Sequence, residues 1–236
     1  MIEFSHVYKT FPGPVHALKN IDLKIDKGEF VFMTGPSGAG KTTLFKMLSA
    51  FDQATSGRVK VCGYDLGKIS MNEIPFFRRR IGVVFQDFRL LKDKTLFENV
   101  ALPLIVRGDR ASSIAKRVYD VLEQVGLGHK HDQLPEYVSG GEQQRTAIAR
   151  AIIHQPEVLI ADEPTGNLDP KLSEDIMDLL ERVSAQGTTV FVATHDHDMV
   201  ARRQKRTIEI KDGMIAFDHK VVGGKTSKLR DQDATT

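Results

Sequence analysis

Phe30-Val31-Phe32-Met33 runs through Thr34 into Gly35-Pro36-Ser37-Gly38-Ala39-Gly40-Lys41-Thr42, and a helical run follows from Thr43 to Leu48. A continuous apolar run without alternation is the pattern of a strand buried on both faces of a parallel sheet. The three glycines let successive backbone amides turn toward one point, and the helix start beyond them adds a favourable dipole. Strand, glycine loop and helix, with Lys and Thr closing the loop, make a phosphate-binding cradle. The amides from Gly35 to Thr43 would hold phosphates, and Lys41 would pair with the β- and γ-phosphates of a nucleotide. The Thr42 hydroxyl is placed for Mg²⁺, which takes oxygen ligands and keeps waters.

Further apolar runs stand at Gly82-Val83-Val84-Phe85, Val158-Leu159-Ile160-Ala161 and Thr189-Val190-Phe191-Val192-Ala193. Strands alternating with helices predict an α/β doubly wound sheet. The second run ends in Asp162-Glu163, and a strand beside the loop strand would carry both carboxylates to the metal and γ-phosphate. Asp162 suits the Mg²⁺ shell, and Glu163 suits the orientation or deprotonation of attacking water. Upstream, Ile21, Leu23 and Ile25 alternate with Asp22, Lys24 and Asp26, while Ile2, Phe4 and Val7 suggest a strand beside them. The chain therefore opens on an antiparallel β region. Between Gln86 and Pro156 the spacing of Ile114, Val118, Val121, Leu122 and Val125 turns helical. This predicts a helical subdomain, 87–156, inserted between core segments 1–86 and 157–222. Leu172, Ile176, Leu179, Leu180 and Val183 predict another amphipathic helix, closed by Gly187. The polar stretch 223–236, with Leu229 its only large apolar residue, is predicted to be a disordered tail.

The 236 residues lie near the upper size of a single hydrophobic core. With 33 Lys+Arg against 31 Asp+Glu, the balanced charge argues against a nucleic-acid coat, and no nucleic-acid partner is expected. The longest apolar run, Val100 to Val106, contains Pro103 and falls far short of the ~20 residues a spanning helix needs. Met1-Ile2-Glu3-Phe4-Ser5-His6 has neither the basic region nor the apolar block of a secretory signal. The single cysteine, Cys62, reads as a small buried hydrophobe in a reducing compartment. His195-Asp196-His197-Asp198 and His129-Lys130-His131 lack a third ligand at recognisable spacing and do not read as a transition-metal site. Arg78-Arg79-Arg80 reads as a solvated helix face.

Tyr137-Val138-Ser139-Gly140-Gly141-Glu142-Gln143-Gln144-Arg145 resembles the signature motif of the ABC ATPases, usually LSGGQ, with Val138 for the Leu and Glu142 for the last Gln. The resemblance covers roughly residues 1–222 and implies an ABC ATPase domain of the P-loop NTPase fold. Its expected parts are a RecA-like parallel-sheet core, an N-terminal antiparallel β region and the inserted helical subdomain. In that family the motif begins a helix and meets the γ-phosphate of ATP held by a second subunit. Ser139, Gly140, Gly141 and Glu142 are therefore expected to face another copy's nucleotide. Gln86 matches the Q-loop glutamine that contacts Mg²⁺ and water, Leu168-Asp169 matches the D-loop, and His195 matches the switch histidine. Phe11 falls where the family stacks an aromatic, commonly Tyr, on adenine. One loop and one signature per chain imply a head-to-tail homodimer around two ATP.

Ala161-Asp162-Glu163-Pro164-Thr165-Gly166-Asn167-Leu168-Asp169 is similar to the branch holding the cell-division, lipoprotein-release and macrolide-efflux ATPases. Val84 to Leu91 and Asn99 to Leu104 make the cell-division members the most similar. That likeness implies two copies of an integral membrane partner at the cytoplasmic face of the bacterial inner membrane, at the division site. It also implies an ATP cycle passed on to cell-wall hydrolysis. Phe88, Leu90, Leu91, Leu96 and Phe97 would form a groove for a cytoplasmic helix of that partner, or else pack into the core. A lipoprotein-release or efflux ATPase would share this chemistry with a different permease. A soluble ABC ATPase of nucleic-acid repair or translation would need a long coiled-coil arm, for which the span from Thr42 to Ser139 leaves no room. A small-molecule kinase would leave Ser139–Glu142 and His195 unexplained.

Overall fold

The computed structural model describes residues 1–13, 15–166, 168–222 and 225–228. The first strands, β1 (Ile2–Phe11) and β2 (Val15–Ile25), form an antiparallel hairpin. With β4 (Ser56–Val61) and β5 (Tyr64–Asp65) they make a four-stranded sheet in the order β2-β1-β4-β5. The second sheet contains β3 (Phe30–Thr34), β6 (Ile81–Val84), β7 (Val158–Asp162), β8 (Thr189–Ala193), β9 (Arg206–Lys211), β10 (Met214–Val222) and β11 (Lys225–Lys228). Its order is β11-β10-β9-β3-β8-β7-β6, parallel from β9 through β6 and antiparallel at β10 and β11. The expected fold class, an antiparallel opening followed by a parallel core, is what the chain adopts.

Side-chain alternation explains the apolar runs. On β3, Phe30 and Phe32 enter one core while Val31 and Met33 enter the other. β7 divides the same way, with Leu159 and Ala161 on one face and Val158 and Ile160 on the opposite one. One core lies against α3 (Leu96–Arg107), α4 (Ala111–Gln124), α5 (Gly140–Ile152) and α6 (Pro170–Ala185). The other fills the space between the parallel sheet, the antiparallel sheet and α1 (Lys41–Leu48). Two short helices, α2 (Ile74–Arg78) and α7 (His197–Arg203), complete the set.

Three sequence expectations are corrected, and one left open between two alternatives is decided. The strand bearing Asp162 is not beside the loop strand, because β8 pairs with both and separates them. Leu96 is fully buried and Phe97 packs against the same core, so neither lines a surface groove. A capping box explains why: Thr95 and Glu98 exchange hydrogen bonds and start α3 at Leu96, turning it inward. Arg78, Arg79 and Arg80 are not simply solvated. Arg78 donates to Ser49 O and Ala50 O, Arg79 to Val106 O, and Arg80 to Cys62 O and Glu157. In the polar stretch after Val222, β11 pairs with β10, which gives the backbone groups on that side their partners. The rest of that stretch lies outside the described residues. Cys62 is buried as expected, and burial pushes its thiol up to about 11.

Candidate functional site

The loop between β3 and α1 takes its shape from glycine. Gly35, Gly38 and Gly40 have φ of 142°, 78° and 110°. A Cβ on Gly35 would overlap Ile210 O, and one on Gly40 would stand 2.7 Å from Ala17 O. No side chain caps α1, so its first amides are free to meet an anion. Lys41 is buried and donates to Gly35 O at 2.7 Å and Pro36 O at 3.1 Å. Its ammonium therefore rests on loop carbonyls, poised at the phosphate position.

The loop opens on a cleft of about 530 Å³ lined by Ala17, Ser37, Gly38, Gly40, Lys41, Thr42, Thr43, Gln86, Asp162, Glu163 and His195. Although β8 intervenes, Asp162 reaches the start of α1, where Thr42 Oγ1 donates to Asp162 Oδ2 at 3.3 Å. Burial raises the Asp162 carboxyl above its ordinary range, against the lowering effect of the Thr42 hydrogen bond; neighbouring Glu163 raises it further. A half-buried anion beside a hydroxyl at a phosphate cradle fits a hard divalent cation. Among the described residues no three His, Cys, Asp or Glu side chains converge as a metal group. A cation here would thus rest on few protein oxygens, completed by phosphate and water.

Glu163 sits in the left-handed region, φ 48°, with its amide bound to Ala193 O at 2.9 Å. This turn aims the carboxylate across the end of β8 to His195, whose Nδ1 lies 2.9 Å from Glu163 Oε2. Glu163 is 12% exposed and His195 69% exposed, so a half-buried acid is held by a ring open to incoming ligand. Beyond Gln86, Phe88 and Arg89 are also left-handed, with φ of 56° and 48°. Arg150 of α5 pins them by donating to Phe88 O and Arg89 O at 2.7 and 2.6 Å. Asp196 caps α7 by accepting from Met199 N, which gives the His195–Asp198 stretch a helix-starting role.

Other expected residues do not line the cleft. Gly35, Pro36 and Ala39 belong to the loop but not to the cleft wall, Gly35 and Ala39 being buried and Pro36 exposed. Phe11 stands at the hairpin tip, 37% exposed, with the Lys9 ammonium 4.8 Å from its ring centroid. Ser139 caps α5 in a reciprocal box with Glu142, Gly140 is open to its surroundings, and Gly141 lets α5 approach Leu172 of α6. Asp169 caps α6 by accepting from Leu172 N. None of Ser139, Gly140, Gly141, Glu142 or Asp169 lines the chain's own cleft.

Sequence reasoning passed over Ala17, a cleft wall, and Gln144, which is 1% exposed and donates to Pro164 O at 2.6 Å. Gln144 ties the signature helix to the loop that bears Glu163. A polar residue on the apolar side of a helix, beside Ala147 and Ile148, was the available signal. A second pocket, about 370 Å³, adjoins the cleft and is lined by Phe45, Phe51, Phe85 and Arg89 together with Thr42 and Asp162. Arg78 lies over the Phe51 ring at 4.4 Å and Arg89 over the Phe85 ring at 4.1 Å.

Residues 18–166, more than half of the chain, match the ABC transporter family. The chain is 52% identical over 218 residues to the cell division ATP-binding protein FtsE of Bacillus subtilis, covering 92% of this chain and 96% of that protein. It is 51% identical over 219 residues to the FtsE of Mycobacterium tuberculosis, covering 92% and 95%. Among solved structures, it is similar to a dimeric post-hydrolysis state of an ATP-binding cassette bound to ADP and phosphate. The TM-score is 0.84 and the identity 38%, covering 98% of this chain and 100% of the other.

Proposed function

The chain belongs to the ABC transporter family, and from that premise we propose that it is the ATP-hydrolysing subunit of a bacterial cell-division complex of the FtsE type. The observation that carries the chemistry is the divided site: loop, Thr42, Asp162, Glu163 and His195 meet in one cleft, while the Ser139 helix start stands outside it. Two copies arranged head to tail would complete two such sites.

In that arrangement Lys41 leaves its loop carbonyls for the β- and γ-phosphates, and the uncapped start of α1 receives the rest of their charge. Thr42, Asp162 and Gln86 would hold Mg²⁺, which neutralises phosphate charge during transfer. Glu163 takes the proton of the attacking water as its oxygen bonds to the γ-phosphorus and the bond to the ADP oxygen breaks. His195 orients Glu163 and bonds the γ-phosphate. Ser139, Gly140 and Gly141 of the other copy close on that phosphate, so its release lets the pair open. Phe11, at the open hairpin tip, would stack on adenine.

No helix among the described residues is long and apolar enough to cross a membrane. We place the subunit at the cytoplasmic face of the inner membrane, held by two copies of an FtsX-type integral membrane protein at the division site. A cytoplasmic helix of that partner would enter the Phe51–Phe85–Arg89 pocket, where it would bear on Thr42 and Asp162. The identity to FtsE over nearly the whole chain supports this reading over the transporter ATPases. Its test is recovery of membrane partners with Glu163→Gln plus ATP, read by mass spectrometry. An FtsX-type protein is expected; a lipoprotein or efflux permease would keep the chemistry and overturn the division role.

A further inference from the structure

The signature helix carries a charge that its own architecture does not require. A glutamine at position 142 would cap Ser139 as well as a glutamate does, because the capping box needs one side-chain oxygen for the Ser139 amide. Glu142 Oε2 accepts that bond at 2.9 Å, and the Glu142 amide donates to the Ser139 hydroxyl at 3.3 Å. The second oxygen, Oε1, is surplus to the cap and brings negative charge to the helix end that is to receive a phosphate. Lys130, in the 3-10 turn Gly128–Lys130, closes on that oxygen at 2.7 Å. The side chains are 33% and 16% exposed, so the pair sits at the surface of α5 and not in the core. The Lys130 hydrogen bond, followed by those from Ser139, holds the Glu142 carboxyl below its ordinary range and keeps it ionised.

We propose that Lys130 is a charge-compensating positioning residue of the composite nucleotide site, cancelling Glu142 so that Ser139, Gly140 and Gly141 can accept the γ-phosphate held by a second copy. The inference rests on the two-copy reading above. Without Lys130, an uncompensated carboxylate would offset the positive end of the α5 dipole and repel the incoming phosphate. The pairing also accounts for how a glutamate is tolerated where the signature usually ends in an amide.

The test uses the full chain with Glu163→Gln and ATP, measuring the dimer dissociation constant by sedimentation. Lys130→Ala should weaken the dimer roughly three- to tenfold at low salt, and less than about twofold in the E142Q background. E142Q alone should weaken it less than K130A does, and K130R should recover most of the loss. At about 1 M salt the K130A deficit should shrink, as a screened charge effect must. An equal K130A loss in the E142Q background would overturn the proposal, because Lys130 would then act on the phosphate itself. Equal losses from K130A and E142Q, with a matching fall in the unfolding temperature of the nucleotide-free chain, would overturn it in favour of a brace between turn and helix. Absence of any ATP-dependent dimer in the Glu163→Gln parent would overturn the two-copy reading, and the proposal with it.

Discussion

Replacing Asp162 by Asn should stabilise the nucleotide-free protein while abolishing its use of the metal. Asp162 ends β7 half-buried, and burial is the largest influence on its carboxyl. Against burial stand one hydrogen bond from the Thr42 hydroxyl at 3.3 Å and the charges of Lys41 and Lys46, which lower the carboxyl without cancelling the effect of burial, the Lys41 ammonium itself donating to Gly35 O and Pro36 O. Its chain neighbour Glu163 adds repulsion. An asparagine keeps the acceptor for Thr42 and removes the charge, which should gain about 1 kcal/mol, in the range of single stabilising substitutions. For a chain of this length that corresponds to a rise of about 2–4 °C in unfolding temperature. The pH dependence follows from the raised carboxyl. The folded state takes up its proton before the unfolded state does, so the penalty is full well above the folded pKa and fades as pH falls toward 3.8. The advantage of Asn should therefore be larger at about pH 8 than at about pH 5. With Mg²⁺ and ATP the order should reverse, since a bound cation favours the ionised form. Thermal unfolding with chelator, then with Mg²⁺-ATP, reads both effects. A variant destabilised by about 1 kcal/mol or more without ligand would refute the claim that this charge is held at a cost.

Glu163→Gln should lower turnover about 10²- to 10⁴-fold in a coupled phosphate-release assay and accumulate the ATP-bound dimer; near-parental turnover would remove Glu163 as the base. Gly82→Ala would put a Cβ within 3.0 Å of Ala151 O and Leu159 Cδ1, tight against α5. It should cost about 1–3 kcal/mol in denaturant unfolding, and an unchanged midpoint would show that β6 and α5 are looser than described. Phe51→Asp, in a ring that is 55% exposed, should abolish ATP-dependent recruitment to partner-containing membranes while the ATP-induced thermal shift persists; full recruitment would take the Phe51–Phe85 pocket out of the interface.

The sheet and its loop were legible because their signals are local. Phe30–Met33 declares a two-sided strand by lacking alternation, and Thr189–Ala193 was read with the bounds it has as β8. The acids at 162 and 163 were legible by type but not by neighbourhood, since strand order depends on how helices cross over the sheet. The arginine run misled for the same reason: Glu157, the partner of Arg80, is distant in sequence. The choice between groove and core at Leu96 and Phe97 stays open in the sequence because one turn of helix fixes their direction, and that turn depends on Thr95 and Glu98. Gly141 was read for its amide alone, whereas the structure also gives it a packing reason, the approach of Leu172. Lys130 stood inside a stretch weighed for metal binding, and only folding brings it to Glu142.

Thr42 and Asp162 belong to the lining of both the phosphate cleft and the Phe51–Phe85 pocket. An inhibitor lodged behind that shared wall would not have to displace the nucleotide to stop the cycle. It would act through the orientation of two oxygen donors, and its kinetic signature would be a weakened response to Mg²⁺ at saturating ATP. Its selectivity would come from Phe51, Phe85 and Arg89, which the generic phosphate cradle does not prescribe.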